Sequence, residues 1–171
     1  VGRDIQLSGY TGCPVHFPMI STAGSVELVR KAQEQGLKVT AGVSSYHLMF
    51  SETDLKDLDT NLKTDHPLRS PQDREALKQA VNTGVVSTID SDHTPQDHEA
   101  KVLEFGHAAY GMINLQTSFA MANSAAHLDV DKVIGSLTTG PREVLGMDQP
   151  ILEEGCNADL TFFCPEQKWI P

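Results

Sequence analysis

The amino-acid sequence predicts an α/β fold built on parallel strands. Two observations predict it. Short β-branched runs at 14–20, 37–41 and 85–90 alternate with capped helical segments at 21–36 and 70–83. The last run, Val85-Val86-Ser87-Thr88-Ile89-Asp90-Ser91-Asp92-His93-Thr94-Pro95, ends abruptly in carboxylates and an imidazole. Strand, helix and strand at this spacing make βαβ units. Val, Ile and Thr in a short run read as a buried strand, and Pro95 fixes a turn after it. Acids and imidazoles at the C-terminal end of a parallel strand stand where α/β barrels place their chemistry. The same residue types also cap helices and satisfy loop amides, so this stretch alone supports either role.

Taken in order, residues 1–12 read as the end of a helix followed by a loop with Gly9 and Gly12. Pro14 to Ile20 read as a strand with proline interruptions. The hydroxyls of 21–25 can cap a helix start. Val26, Val29 and Ala32 recur at helical spacing, and Gly36 closes that helix. Leu37 to Ala41 is the next strand. Residues 44–59 read as a long loop with short helical turns, and Asn61 to Thr64 as a short strand. Ser70-Pro71-Gln72-Asp73 is a strong helix start: Ser70 at N-cap, Pro71 at N1, the Asp73 carboxylate at N3. That helix runs to Thr83, with Leu77 and Ala80-Val81 inward, and Gly84 ends it. Four parallel strands are therefore expected, with Asp65 and Asp92 at their C-terminal ends on one rim. Beyond Pro95 the sequence predicts helices at 97–104, 112–126, 130–137 and 141–145, then a strand at 160–163.

Composition narrows the function classes. The 171 residues suffice for one domain with a real core, and apolar residues make up 39%. Thirteen basic against 23 acidic residues give a formal charge of −10, which disfavours nucleic acid and anionic membranes as partners. No apolar run has the length of a membrane span. Cys13, Cys156 and Cys164 form no Cys-x-x-Cys pair and read as reduced thiols of a cytoplasmic protein, Cys13 and Cys164 as small buried side chains. The chain opens on Val1 and reads as a piece of something longer.

Five motifs occur in register: Met19-Ile20-Ser21-Thr22-Ala23-Gly24-Ser25, Tyr46-His47-Leu48, Pro67-Leu68-Arg69-Ser70, Ser91-Asp92-His93-Thr94-Pro95 and Tyr110 to Thr117. In order and spacing they resemble dihydroorotase. Ala158-Asp159-Leu160-Thr161 resembles the strand that returns into the small β-sandwich of the amidohydrolase superfamily. The resemblance implies the C-terminal half of a (β/α)8 barrel over residues 1–150 and the first strand of a β-sandwich in 151–171. It also implies a zinc-dependent hydrolase that opens and closes a cyclic amide, dihydroorotate to carbamoyl aspartate, in pyrimidine biosynthesis. Zinc would lower the pKa of bound water and polarise the carbonyl. Asp92 matches the family's metal-binding aspartate, which carries the proton to the leaving nitrogen. Tyr110 and Gly111 match a backbone stretch that contacts the substrate. Asp65 and Gln96 stand at two further substrate-contacting positions.

Departures from the family pattern cluster at this site. Met19 stands where the family has a zinc-binding histidine. A thioether suits copper(I) far better than zinc beside carboxylates. His16 lies three residues earlier, so strand alternation points it to the other face. Asp65 replaces an asparagine that helps to hold an anionic substrate. Two like charges about 4 Å apart repel by about 1 kcal/mol in water and about 4 kcal/mol at an effective dielectric near 20. Gln96 replaces a histidine, and Gln116 a glutamate. Two roles follow as expectations. One is a dihydroorotase-like enzyme to which this chain, by itself inactive and without zinc, contributes part of the site. The other is a non-catalytic scaffold subunit partnering an aspartate transcarbamoylase-like protein. Half a barrel also leaves the first strand without its neighbour, so association with a second copy, or with the missing half, is expected.

Overall fold

The computed structural model describes residues 1–125 and 127–164. Eight helices and three strands alternate through the described residues. They are α1 (Gly2–Thr11), β1 (Val15–Phe17), α2 (Ala23–Glu34), β2 (Val39–Ser44), α3 (Ser45–Met49), α4 (Pro71–Thr83), β3 (Thr88–Asp90), α5 (His98–Lys101), α6 (Ser118–Ser124), α7 (Val130–Leu137) and α8 (Thr139–Leu145). The strands form one parallel sheet in the order β1-β2-β3. Each strand thus pairs with the one before it, through a crossover that contains a helix, as in the wall of an α/β barrel.

The register separates the faces of this sheet. His16 pairs with Thr40, Gly42 with Thr88, and Ser44 with Asp90. Alternation puts these six residues on one polar face. Val39, Ala41, Val43 and Ile89 occupy the other. They are buried against Val29 and Ala32 of α2, Leu77, Ala80 and Val81 of α4, and Val133 of α7. The helices therefore cover the apolar face, and Asp90 carries the polar face out to the C-terminal rim.

The local signals for α4 hold in detail. The Ser70 hydroxyl accepts from the Asp73 amide at 3.2 Å and donates to the Asp73 carboxylate at 2.6 Å, and Pro71 opens the helix. Gly84 ends it in the left-handed region at φ 78°, where a side chain would be strained. A second Asp73 bond, from the Ala23 amide at 2.8 Å, ties the start of α2 to the start of α4.

Several expectations are corrected. The strand expected at 60–64 is a 3-10 turn at Thr60–Leu62, so the sheet has three strands. The Asp59 carboxylate accepts from the Asn61 amide at 2.9 Å, which starts a turn rather than a ladder. The helix expected from Met112 begins only at Ser118. Upstream, the Asn114 and Leu115 amides donate to His93 Nδ1 at 3.0 and 3.1 Å, so they are unavailable to a helix. β1 stops at Phe17, so the alternation that set His16 against Met19 does not reach Met19. All three cysteines are exposed. Residues 160–164 form no strand: their side chains are exposed, and no described strand lies beside them to complete a ladder. The remainder of the expected sandwich segment, 165–171, lies outside the described residues.

A carboxylate at the sheet rim and its phenol partner

β3 ends at Asp90, and the chain turns immediately. The Asp92 amide donates to Asp90 Oδ1 at 2.7 Å. Asp92 itself takes a left-handed backbone, φ 45°, which Asp tolerates better than most residues. The turn is gripped from the far side by Asn114, which is fully buried. Its Nδ2 donates to the Ser91 carbonyl at 2.6 Å and to Ser45 Oγ at 2.7 Å.

The partner of the Asp92 carboxylate is Tyr46, which sequence reasoning quoted in a motif but gave no role. α3 follows β2 without a loop, so Tyr46 is placed two residues past the end of β2. Its side chain is 0% exposed, and its hydroxyl donates to Asp92 Oδ2 at 2.6 Å. Burial first, and then the bond and charge of Asp92, push the phenol well above its ordinary range; the Ser44 and Thr64 hydroxyls oppose this. The phenol is therefore the donor at neutral pH. A tyrosine in an apolar segment reads as core, and only the fold shows a carboxylate 46 positions away.

The neighbouring imidazoles are committed to structure. His93 Nδ1 accepts from the two amides of 114 and 115, which puts its proton on Nε2 when the ring is neutral. His47 is 2% exposed, tilts against the Tyr46 ring at 4.6 Å, and meets the Pro67 carbonyl through Nε2 at 3.3 Å. Burial lowers its pKa to about 4. Its Nδ1 and that of His66 are buried without a hydrogen-bond partner among the described residues. His16 bonds Thr40 Oγ1 at 2.9 Å on the polar face.

Tyr110 and Gly111 lie in a loop that two lysines hold. Lys63 Nζ donates to the carbonyls of Phe105 at 2.6 Å, Ala108 at 2.7 Å and Gly106 at 3.3 Å. It also stands 4.5 Å from the Tyr110 ring. Lys101 Nζ donates to the carbonyls of Ala109 at 3.0 Å and Gly111 at 2.9 Å. Gly111 sits at φ 134°, and a Cβ there would lie 2.2 Å from the Thr94 carbonyl oxygen. Its amide donates to the Lys63 carbonyl, and the Met112 carbonyl accepts from the Thr94 amide. Residues 111–112 thus bridge the segment entering Asp65 and the segment leaving Asp92. Asp65 is exposed, and no hydrogen bond joins it to Asp92 among the described residues. Gln96 is exposed and borders a cavity of about 290 Å³ with Phe50, Leu62, Gly111, Met112 and Met121.

Zinc does not fit what these residues offer. Among the described residues no group of three or more His, Cys, Asp or Glu side chains could hold an ion. Of the Asp92 carboxylate, Oδ2 is bonded to a buried phenol, and the adjacent His93 Nδ1 faces amides.

The chain matches the Amidohydrolase family over residues 4–168. It is 33% identical to a dihydroorotase of Geobacter sp. (strain M21) over 172 residues, 99% of this chain and 40% of that protein. It is 36% identical to a dihydroorotase of Bacillus licheniformis, over 98% of this chain and 40% of the relative. The chain therefore spans about two fifths of the curated relatives it matches. In fold it is similar to a D-hydantoinase (dihydropyrimidinase) from Thermus sp., with a TM-score of 0.82 at 18% identity over 92% of this chain and 37% of that one. An L-hydantoinase (dihydropyrimidinase) from Arthrobacter aurescens gives 0.78 at 23% identity, over 84% and 34%.

Proposed function

The chain belongs to the amidohydrolase family, and from that premise we propose that it is part of a dihydroorotase-like hydrolase of small cyclic amides, inactive by itself. Residues 1–150 supply the C-terminal half of the barrel, and 151–171 lead into the β-sandwich. The observation that carries the reading is the placement of Asp92. It stands one turn past the C-terminal end of a parallel strand, at the rim to which the polar face of the sheet leads. There a carboxylate can accept a proton and hand it to a leaving nitrogen. Tyr110, Gly111 and Gln96 border the same loop system and form the substrate side of the site. Asp65, an exposed carboxylate, weakens any anionic substrate that comes near it. The relatives named dihydroorotase support that substrate class, and a cytoplasmic location accords with exposed, unpaired cysteines. No helix among the described residues is long and apolar enough to cross a membrane.

The 2.6 Å bond from Tyr46 to Asp92 favours a second reading: a non-catalytic scaffold subunit that pairs with an aspartate transcarbamoylase-like protein or a second copy of itself. A ring-opening assay on dihydroorotate, run with metal analysis on the whole protein, separates the two. Turnover that Asp92→Asn lowers by about a hundredfold or more, with stoichiometric zinc, is the outcome of the enzyme reading. Absent turnover and absent zinc, with Met19→His restoring neither, refute it and leave the scaffold.

A further inference from the structure

We infer that Tyr46 is a positioning residue that locks Asp92, its phenol occupying one of the two carboxylate oxygens that an ion or a substrate proton could use. The lock goes beyond both readings above. They differ in whether it ever opens; it is closed in each.

Three features build it. First, the phenol is held in place: Tyr46 is 0% exposed, leaves β2 directly into α3, and lies against the His47 ring at 4.6 Å. Second, the backbone that carries the carboxylate is pinned beside it. Its backbone is fixed by the Asp90 side chain at 2.7 Å on one side, and the preceding carbonyl by Asn114 at 2.6 Å on the other. Third, the fixing group is itself held. Asn114 is fully buried, its Nδ2 also bonds Ser45 Oγ beside Tyr46, and its Oδ1 accepts from Thr117 at 3.1 Å. Tyr46 and Asp92 are thus braced against one another through Ser45 and Asn114. An ion approaching Oδ2 would have to share that oxygen with a donor carried on a fully buried ring.

The test is carboxyl labelling of the folded chain with a carbodiimide and glycine ethyl ester, read residue by residue by peptide mass spectrometry. A hydrogen bond to a charged group weights the closed form by about tenfold to a hundredfold. In the unmodified chain Asp92 should therefore label about tenfold or more slowly than exposed Asp65. Tyr46→Phe keeps the ring and removes the donor. It should raise Asp92 labelling by about tenfold and leave Asp73, bonded to Ser70 and Ala23, unchanged. Equal labelling of Asp92 and Asp65 in the unmodified chain overturns the lock, and that comparison needs no variant to fold. A rise in Tyr46→Phe shared by Asp73 also overturns it, because it reports general loosening. Turnover by the whole protein bears on the proposed function and leaves this measurement standing.

Discussion

Lys63→Met removes one ammonium from a site built around it. The side chain is 7% exposed. Its Nζ makes two short bonds, 2.6 and 2.7 Å, to the Phe105 and Ala108 carbonyls, and a longer one to Gly106. Methionine keeps an unbranched apolar stem of similar reach and donates nothing. Each buried carbonyl left without its donor costs about 1–3 kcal/mol, so the two short bonds account for about 2–6 kcal/mol. The lost contact with the Tyr110 ring adds about 0.5–1 kcal/mol. Relief comes from no longer dehydrating an ammonium, a cost of several kcal/mol that the wild-type side chain carries. The expected balance is a loss of about 2 kcal/mol, roughly thirtyfold in the folded-to-unfolded ratio. Urea unfolding measures it as a fall in the midpoint at unchanged m-value. Amide exchange should accelerate first at 105–111, since that loop loses its anchor. A midpoint shift worth less than about 0.5 kcal/mol, with exchange in 105–111 unaltered, would refute the accounting and make Lys63 a spectator.

Two further outcomes are expected. His47 is held neutral by burial, with a pKa of about 4 against 6.5 ordinarily, so the unfolded chain binds more protons than the folded one between those values. Stability should be full above pH 6.5 and fall as pH drops toward 4, by about 3 kcal/mol at most; His47→Phe should flatten that limb of a pH-dependent urea series. Ser70→Ala breaks the capping box of α4 and should cost about 1 kcal/mol, read as a lower thermal midpoint.

What the sequence makes legible here is whatever its local chemistry decides. Ser70, Pro71, Asp73 and Gly84 define α4 because each acts within a few residues of itself. β2 and β3 are legible because their β-branched runs pair with neighbouring strands over their whole described length. The 60–64 segment looks similar in composition, yet the Asp59 carboxylate captures the Asn61 amide and turns the chain. Residues 112–117 carry helical apolar spacing, but His93, more than twenty positions upstream, holds the amides of Asn114 and Leu115. The site divides the same way. Asp92 is visible as an acid after a strand. Tyr46 is invisible as its partner, because burial alone explains a tyrosine in an apolar segment and the carboxylate arrives only with the sheet. The lysine clamp on 105–111 is hidden for the same reason: Lys63 reads as a surface charge until five carbonyls of one loop are seen to converge on it and on Lys101.

The parallel order of the sheet also sets a sequence of events in folding. His16 meets Thr40 across 24 positions, whereas Ser87 meets Ala41 across 46. Closing a loop nearly twice as long costs about 0.6 kcal/mol more, roughly threefold in the population of the closed chain. β1, α2 and β2 should therefore assemble as the early module, with α4 and β3 docking onto its open edge. Tyr46 waits at the end of β2, on the early module. Asp92 rides in behind β3, on the late one. Their bond forms at the final closure, so in a refolding time course the environment of this one tyrosine marks the moment at which the sheet is complete.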